Sequence, residues 1–304
     1  MLKARSRRKK KVRWEEMLPQ EFLETRDAFP LCYVGFGLAE PHGAYNALGL
    51  DWLKATALIE KAALLHGGMV APPCAWHIQE LPHFHGDGSN DGWLRDAGIR
   101  QPLCSSIPAD LFYRMVFYQI RAVDARGFRA ALLVTGHYGG VEIVLRKICE
   151  YYLRKTNSPL RLAAIADWEC IDADLPHRGD HAGICETSQL MELHPGLTDL
   201  RFEIANTEIG ERFGGGVDFV RGPVPSRKIG RTIVESQVRN LGHMAKELIA
   251  EYLPREKWKA PNFPQIETIW QSFEDLTRSY WSLTYSEYKN GRRIIIPDWD
   301  DLEG

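Results

Sequence analysis

With 304 residues, 44% of them hydrophobic and 26% charged, the chain has ordinary globular composition and the length for one large α/β domain, which excludes disordered and fibrous classes. A net charge of −2 supplies no overall electrostatic reason to expect a nucleic-acid partner, and no apolar run reaches the length of a bilayer span. Cys32, Cys74, Cys104, Cys149, Cys170 and Cys185 are scattered without a CxxC pair, the pattern of reduced thiols, so a cytoplasmic location is expected.

Lys3 to Arg13 is a dense basic run, KARSRRKKKVR, and residues 1–20 read as a flexible tail. Trp14 to Leu23 has a short helical pattern that Pro19 is expected to break. The organising stretch follows. Leu31 to Leu38, dense in β-formers, reads as a buried strand; Glu40 and His42 come directly after it, and a glycine-rich turn leads to Asp51 at the mouth of a helical pattern that runs to His66. Asp51 is therefore open to two readings, a metal ligand or a helix N-cap.

GGMVAPPCAW supplies a second strand. His77 to Gly92, with His77, His83 and His85, reads either as the rim or lid of an active site or as a solvated loop. A helix is expected over Pro108 to Arg126, a third strand over Phe128 to Gly136, and a helix over Val141 to Lys155. Between the last two lie His137, Tyr138, Gly139 and Gly140, where the glycines are expected to let the backbone approach a bound group. Leu160 to Trp168 is a fourth strand; a polar loop then leads to Asp180, His181, Ala182, Gly183, Cys185, Glu186, Thr187 and Ser188 and a short helix ending before Pro195. Short strand-like pieces are expected between Thr198 and Lys228, and an amphipathic helix over Thr232 to Leu253. The last fifty residues hold Trp258, Trp270, Tyr280, Trp281, Tyr285, Tyr288 and Trp299, too apolar for exposed coil, and are expected to wrap the domain or a neighbouring subunit.

Strands alternating with helices imply a mainly parallel sheet covered on both faces, with residues 21–253 as the domain and 254–304 as a C-terminal extension. Three strand ends carry histidine or carboxylate groups, the edge at which open α/β sheets place ligands. Carboxylates mixed with imidazoles suit zinc, manganese or iron.

Glu40-x-His42, Asp51 nine residues later, the Gly136-His137 strand end and the Asp180-His181-Ala182-Gly183-x-x-Glu186-Thr187-Ser188 box together resemble the creatininase family of metal-dependent amidohydrolases, over residues 30 to 253 and in the family's order. The resemblance implies a three-layer α/β/α sandwich, two divalent ions per chain, hydrolysis of a C–N amide-type bond in a small-molecule substrate by a metal-activated hydroxide, and a homo-oligomer, commonly a hexamer. Carried over by position, Glu40 and His137 would hold one ion, His42 the second, and Asp51 would bridge them. Creatinine-hydrolysing relatives have a glutamate where this chain has Gly139, so Glu186 takes the remaining ligand role. His181, paired with Asp180, would deliver a proton to the leaving nitrogen, and Tyr138 would orient the substrate.

Departures bear on the substrate. Tyr45, Asn46 and Ala47 stand where the family often has His-Leu-Pro, and Leu175, Pro176, His177 and Arg178 stand where creatinine-hydrolysing members have a tryptophan, which argues against creatinine itself. Arg178 offers a partner for a substrate carboxylate or phosphate. Two other readings accompany this one: a hydrolase that trims a short peptide precursor, and an oligomeric scaffold or metabolite-binding protein without chemistry.

Overall fold

The computed structural model describes residues 10–78, 104–202, 224–281 and 294–303. Its centre is a four-stranded sheet of β1 (Leu31–Phe36), β2 (Met69–Val70), β3 (Ala130–Thr135) and β4 (Arg161–Ala166), in the order β2-β1-β3-β4. Every pairing is parallel. The connections are α2 (Leu50–His66), α3 (Ala109–Asp124) and α4 (Val141–Thr156); α1 (Pro19–Ala28) precedes the sheet, and α5 (Ile184–Leu193), α6 (Arg227–Ala250), α7 (Phe263–Thr277) and α8 (Trp299–Glu303) follow it.

Side chains alternate across the sheet as the pleat requires. Cys32, Val34 and Phe36 of β1 enter a core with Phe112 and Phe117 of α3 and Val144 and Ile148 of α4. Leu31 and Tyr33 enter the opposite core with Leu58 and Ile59 of α2 and Val234 and Leu241 of α6. The result is the three-layer α/β/α sandwich expected from the alternation of elements. Register aligns the strand ends: Phe36 lies opposite Thr135, and Thr135 opposite Ala166. The residues that follow these three strands, including Glu40, His42, His137 and Asp167, therefore leave the sheet along one edge.

Several boundaries differ from the sequence reading. Pro19 opens α1 at its first position, where a missing N–H costs nothing, instead of breaking a helix. Val12 is buried and Arg13 bridges to Val70, so these two residues contact the domain, while residues 1–9 lie outside those described. The final long helix begins at Arg227, because the Ser226 hydroxyl caps it by accepting from Ile229 N–H. Of the strand-like pieces expected between Thr198 and Lys228, residues 203–223 lie outside the described residues, while Thr198 forms an antiparallel bridge with Asn46.

The aromatic C-terminal segment contains a helix that the sequence reading did not mark. Asn262 and Gln265 form a reciprocal cap for α7, and Ile266, Trp270 and Phe273 then fall on one buried face at helical spacing. Trp299 closes this core against Tyr151, with ring centroids 4.7 Å apart. The described residues of the segment thus join the core of α3 and α4.

Two glycines fix where α2 begins. A Cβ on Gly37 would lie 2.5 Å from the Trp52 nitrogen, and one on Gly136 would lie 2.1 Å from the Asp51 carbonyl oxygen. Only bare backbone at the ends of β1 and β3 lets the first turn of α2 descend between them. Gly136→Ala is expected to cost about 2–3 kcal/mol of stability by pushing that turn outward, measured as a lowered midpoint of urea unfolding; an unchanged midpoint would contradict this packing.

Candidate metal centre

That close approach delivers Asp51, in the first turn of α2, to a point between the ends of β1 and β3. Gly49 occupies the N-cap position, so Asp51 is not the cap. Its carboxylate is buried and divided between two imidazoles: Oδ1 lies 3.1 Å from His42 Nε2, and Oδ2 lies 3.1 Å from His137 Nδ1. Glu40 Oε1 lies 3.0 Å from the same His137 nitrogen. Glu186 Oε2, from the first turn of α5, lies 3.6 Å from His42 Nε2. The five residues proposed as ligands from the sequence therefore meet in two trios that share Asp51: Glu40, Asp51 and His137, and His42, Asp51 and Glu186. Within each trio the candidate ligand atoms all lie within 4.8 Å of one another.

The donor chemistry fits divalent cations. His42 Nδ1 lies 3.0 Å from the Glu40 carbonyl oxygen; donating its N–H there leaves Nε2 as a lone pair aimed at carboxylates. Nε2 of His42 is buried and makes no hydrogen bond among the described residues. Burial opposes a charge on His42, yet Asp51, Glu186 and Glu40 lift its imidazole to about 9. Burial likewise opposes a charge on His137, which Glu40 and Asp51 raise well above the ordinary histidine value. Burial would raise Asp51, but His42 and His137 hold it well below the usual carboxylate range. A site this anionic attracts cations whether they are protons or metals.

The N–H groups of Gly139 and Gly140 donate to the Glu142 carboxylate, which starts α4. The Tyr138 hydroxyl lies 2.8 Å from Glu186 Oε1 and 2.5 Å from the Asp180 carbonyl oxygen, and accepts from Asp180 N–H, so it ties the β3 loop to the turn before α5. Burial, followed by the nearby Glu186 and Asp167 carboxylates, raises the Tyr138 phenol well above its ordinary value.

Asp180 is not placed as a partner orienting His181. Its carboxylate accepts from the backbone N–H groups of Gly183, Cys185 and Glu186, which fixes the first turn of α5 and thereby Glu186. His181 is exposed; its Nε2 lies 3.2 Å from the Pro41 carbonyl oxygen, and its ring lies against that of His42, centroids 4.4 Å apart. Ala182, directly after His181, adopts a left-handed conformation at φ 55°, a strained position for a non-glycine residue, and its N–H donates to Glu186 Oε2. The departures at Tyr45 and Asn46 dock this turn: Tyr45 donates to the Ala182 carbonyl and Asn46 to the Thr187 hydroxyl.

Two charged residues were missed by the sequence reading. Lys54, fully buried one turn after Asp51, donates to Glu186 Oε1 and lies 3.4 Å from Asp167 Oδ1 and 3.9 Å from Asp51 Oδ1. Asp167, directly after β4, accepts from Gln189 and Gln237. A lysine on the apolar face of α2 and an acid at a fourth strand end were the available signals. His77 also differs from the rim reading: it is buried, 4.0 Å from the Phe112 ring and 5.3 Å from the His137 ring, and burial pushes its imidazole down to about 3, so it stays neutral. His83 and His85 lie outside the described residues.

A cavity of about 200 Å³ opens onto this centre, lined by Glu40, Asp51, His137, Tyr138, His181 and Glu186 among others. A wider groove of about 530 Å³, lined by Leu64, Leu65, Val234 and Val238 on α2 and α6, shares none of these residues. Arg178 is exposed, its guanidinium 5.9 Å from the Trp168 ring centroid.

Comparison with known proteins gives the arrangement its relatives. A crystal structure of creatinine amidohydrolase (creatininase) superposes with a TM-score of 0.60 at 19% identity, covering 81% of this chain and 100% of the other. A manganese creatininase gives 0.60 at 21% identity, with 81% and 100% covered, and a variant creatininase described as Zn–Zn type gives 0.59 at 20%, with the same coverage. At these identities the likeness speaks for the fold. No curated protein sequence matches the chain significantly. The family model described as creatinine amidohydrolase matches residues 15–227, which include all five of the converging ligand candidates. Since that span is well over half of its length, the chain belongs to the creatininase family.

Proposed function

We propose that this chain is a metal-dependent amidohydrolase that holds two divalent ions, zinc, manganese or iron, and hydrolyses a C–N amide-type bond of a small polar metabolite. The observation that carries this reading is the division of the Asp51 carboxylate, each oxygen turned to a different histidine, with Glu40 3.0 Å from His137 and Glu186 3.6 Å from His42. Glu40, His137 and Asp51 would hold one ion and His42, Asp51 and Glu186 the other. Ions bound there supply Lewis acidity, lowering the pKa of a water and polarising a carbonyl.

The protein's own groups do the rest. The cavity of about 200 Å³ falls below the roughly 300–1,000 Å³ of drug-sized ligand sites, which supports a small lactam, formamide or linear amide over a peptide. His181, exposed at the cavity wall with Nε2 engaged by Pro41, is the group suited to give a proton to the leaving nitrogen through Nδ1. Asp180 acts by holding the turn that carries His181 and Glu186. Tyr138, whose raised phenol keeps its proton, holds Glu186 and borders the substrate space. Trp168 packs on Tyr138 at 6.4 Å and under Arg178, and the absence of a tryptophan over Leu175 to Arg178, where the family resemblance places one in creatinine-hydrolysing members, supports a substrate other than creatinine. Family resemblance also supports a homo-oligomer, a hexamer, for which exposed Leu64 and Leu65 offer apolar surface. Among the described residues no helix is long and apolar enough to cross a membrane.

A screen of lactams, formamides and linear amides with zinc-, manganese- and iron-loaded protein is expected to yield turnover. Asp51→Asn should lower it by about two orders of magnitude or more and reduce bound metal, with the circular dichroism spectrum retained. Sub-stoichiometric metal in the wild type, and no substrate with any ion, would instead identify a scaffold.

Metal affinity should also depend on pH. With His42 raised to about 9, the metal-free imidazole carries a proton below that pH, and ligation must expel it. Affinity at the His42 site is therefore expected to climb as pH rises towards about 9. Calorimetry in buffers of different ionisation enthalpy would count the released protons; a flat profile without release would contradict the assignment of His42.

A further inference from the structure

Resting on the two-metal reading above, we propose that Lys54 is a positioning residue that makes the two ion sites unequal, by supplying a built-in cation to Glu186 and so weakening the His42–Asp51–Glu186 site relative to the Glu40–Asp51–His137 site. The Glu186 carboxylate is already occupied on both oxygens. Oε1 takes the Lys54 ammonium and lies 2.8 Å from the Tyr138 hydroxyl, and Oε2 takes the Ala182 N–H at 2.8 Å. Glu40 is placed differently: among the described residues its carboxylate forms ion pairs with histidines alone, and neither a lysine nor an arginine reaches it.

Position makes the effect strong. Lys54 has no solvent exposure, sits 4.7 Å from the Tyr138 ring centroid, and is enclosed by Glu186, Asp167 and Asp51. A buried cation is tolerated only where carboxylates surround it, and it is screened far less than a surface charge. An incoming divalent ion in the second trio meets that ammonium across the single carboxylate of Glu186, whereas in the first trio the nearest link is Asp51, 3.9 Å from Nζ. Asp167 keeps the ammonium on the Glu186 side of the centre while lying outside both trios. Lys54 thus sets the difference in affinity between the two sites.

The test is a titration of metal-free protein with zinc, by calorimetry and by competition against a chromogenic chelator. Wild-type protein is expected to bind two ions with clearly separated affinities. In Lys54→Met the weaker affinity should tighten by about tenfold or more while the stronger moves less. Lys54→Gln, which keeps a hydrogen-bond donor and drops the charge, should match Lys54→Met. Circular dichroism and thermal melting establish that each variant is folded, and two equal affinities in the wild type would overturn the proposal even if neither is. Two equal affinities in the wild type, or an unchanged weaker affinity in a folded variant, would overturn the role of Lys54. Binding of fewer than two ions at saturating zinc would overturn the two-metal reading itself.

Discussion

The centre depends on one steric constraint: the first turn of α2 must reach the ends of β1 and β3 at backbone contact distance. Gly37 and Gly136 leave the room, and Asp51 arrives there because it lies on that turn. Parallel pairing in register brings His137 to the same edge as Glu40 and His42. Glu186 comes from outside the sheet, on a helix whose start is fixed by Asp180, Tyr138, Tyr45 and Asn46. Chemistry in this protein is thus a product of packing, since every ligand candidate is placed by a backbone or hydrogen-bond arrangement that can be named.

Electrostatics explains why so many charged groups tolerate burial. Glu40, Asp51, Glu186 and Asp167 are all buried, and isolated carboxylates in such surroundings would give up their charge. Lys54, His42 and His137 offset them, and the carboxylates in turn favour the charged form of each. The polar network behind the centre, Asp167 with Gln189 and Gln237, holds Lys54 in place without facing the substrate space.

Much of this was legible in the residues. Apolar runs that end in Glu40-x-His42 and in Gly136-His137 already marked the strand ends, and the Asp180 to Ser188 box gave the remaining carboxylate. What escaped was long-range. Lys54 looks like any lysine in an amphipathic helix until its face is known to be fully buried, and Asp167 looks like the end of a strand until Lys54 stands opposite. Asp180 and His181 are neighbours in sequence but diverge in space, because the backbone amides of α5 compete for the carboxylate and win. The Tyr45 and Asn46 departures, first considered for substrate choice, turn out to join two loops that are far apart along the chain. His77 was misjudged because polar sequence after it suggested solvent, whereas Phe36 and Phe112 enclose the ring itself.

Anomalous diffraction from zinc-loaded crystals addresses the central claim most directly. The account predicts two anomalous peaks, one on each side of the Asp51 carboxylate, the first among Glu40, Asp51 and His137 and the second among His42, Asp51 and Glu186. A single peak remote from Asp51, or none within reach of His42 and His137, would contradict it.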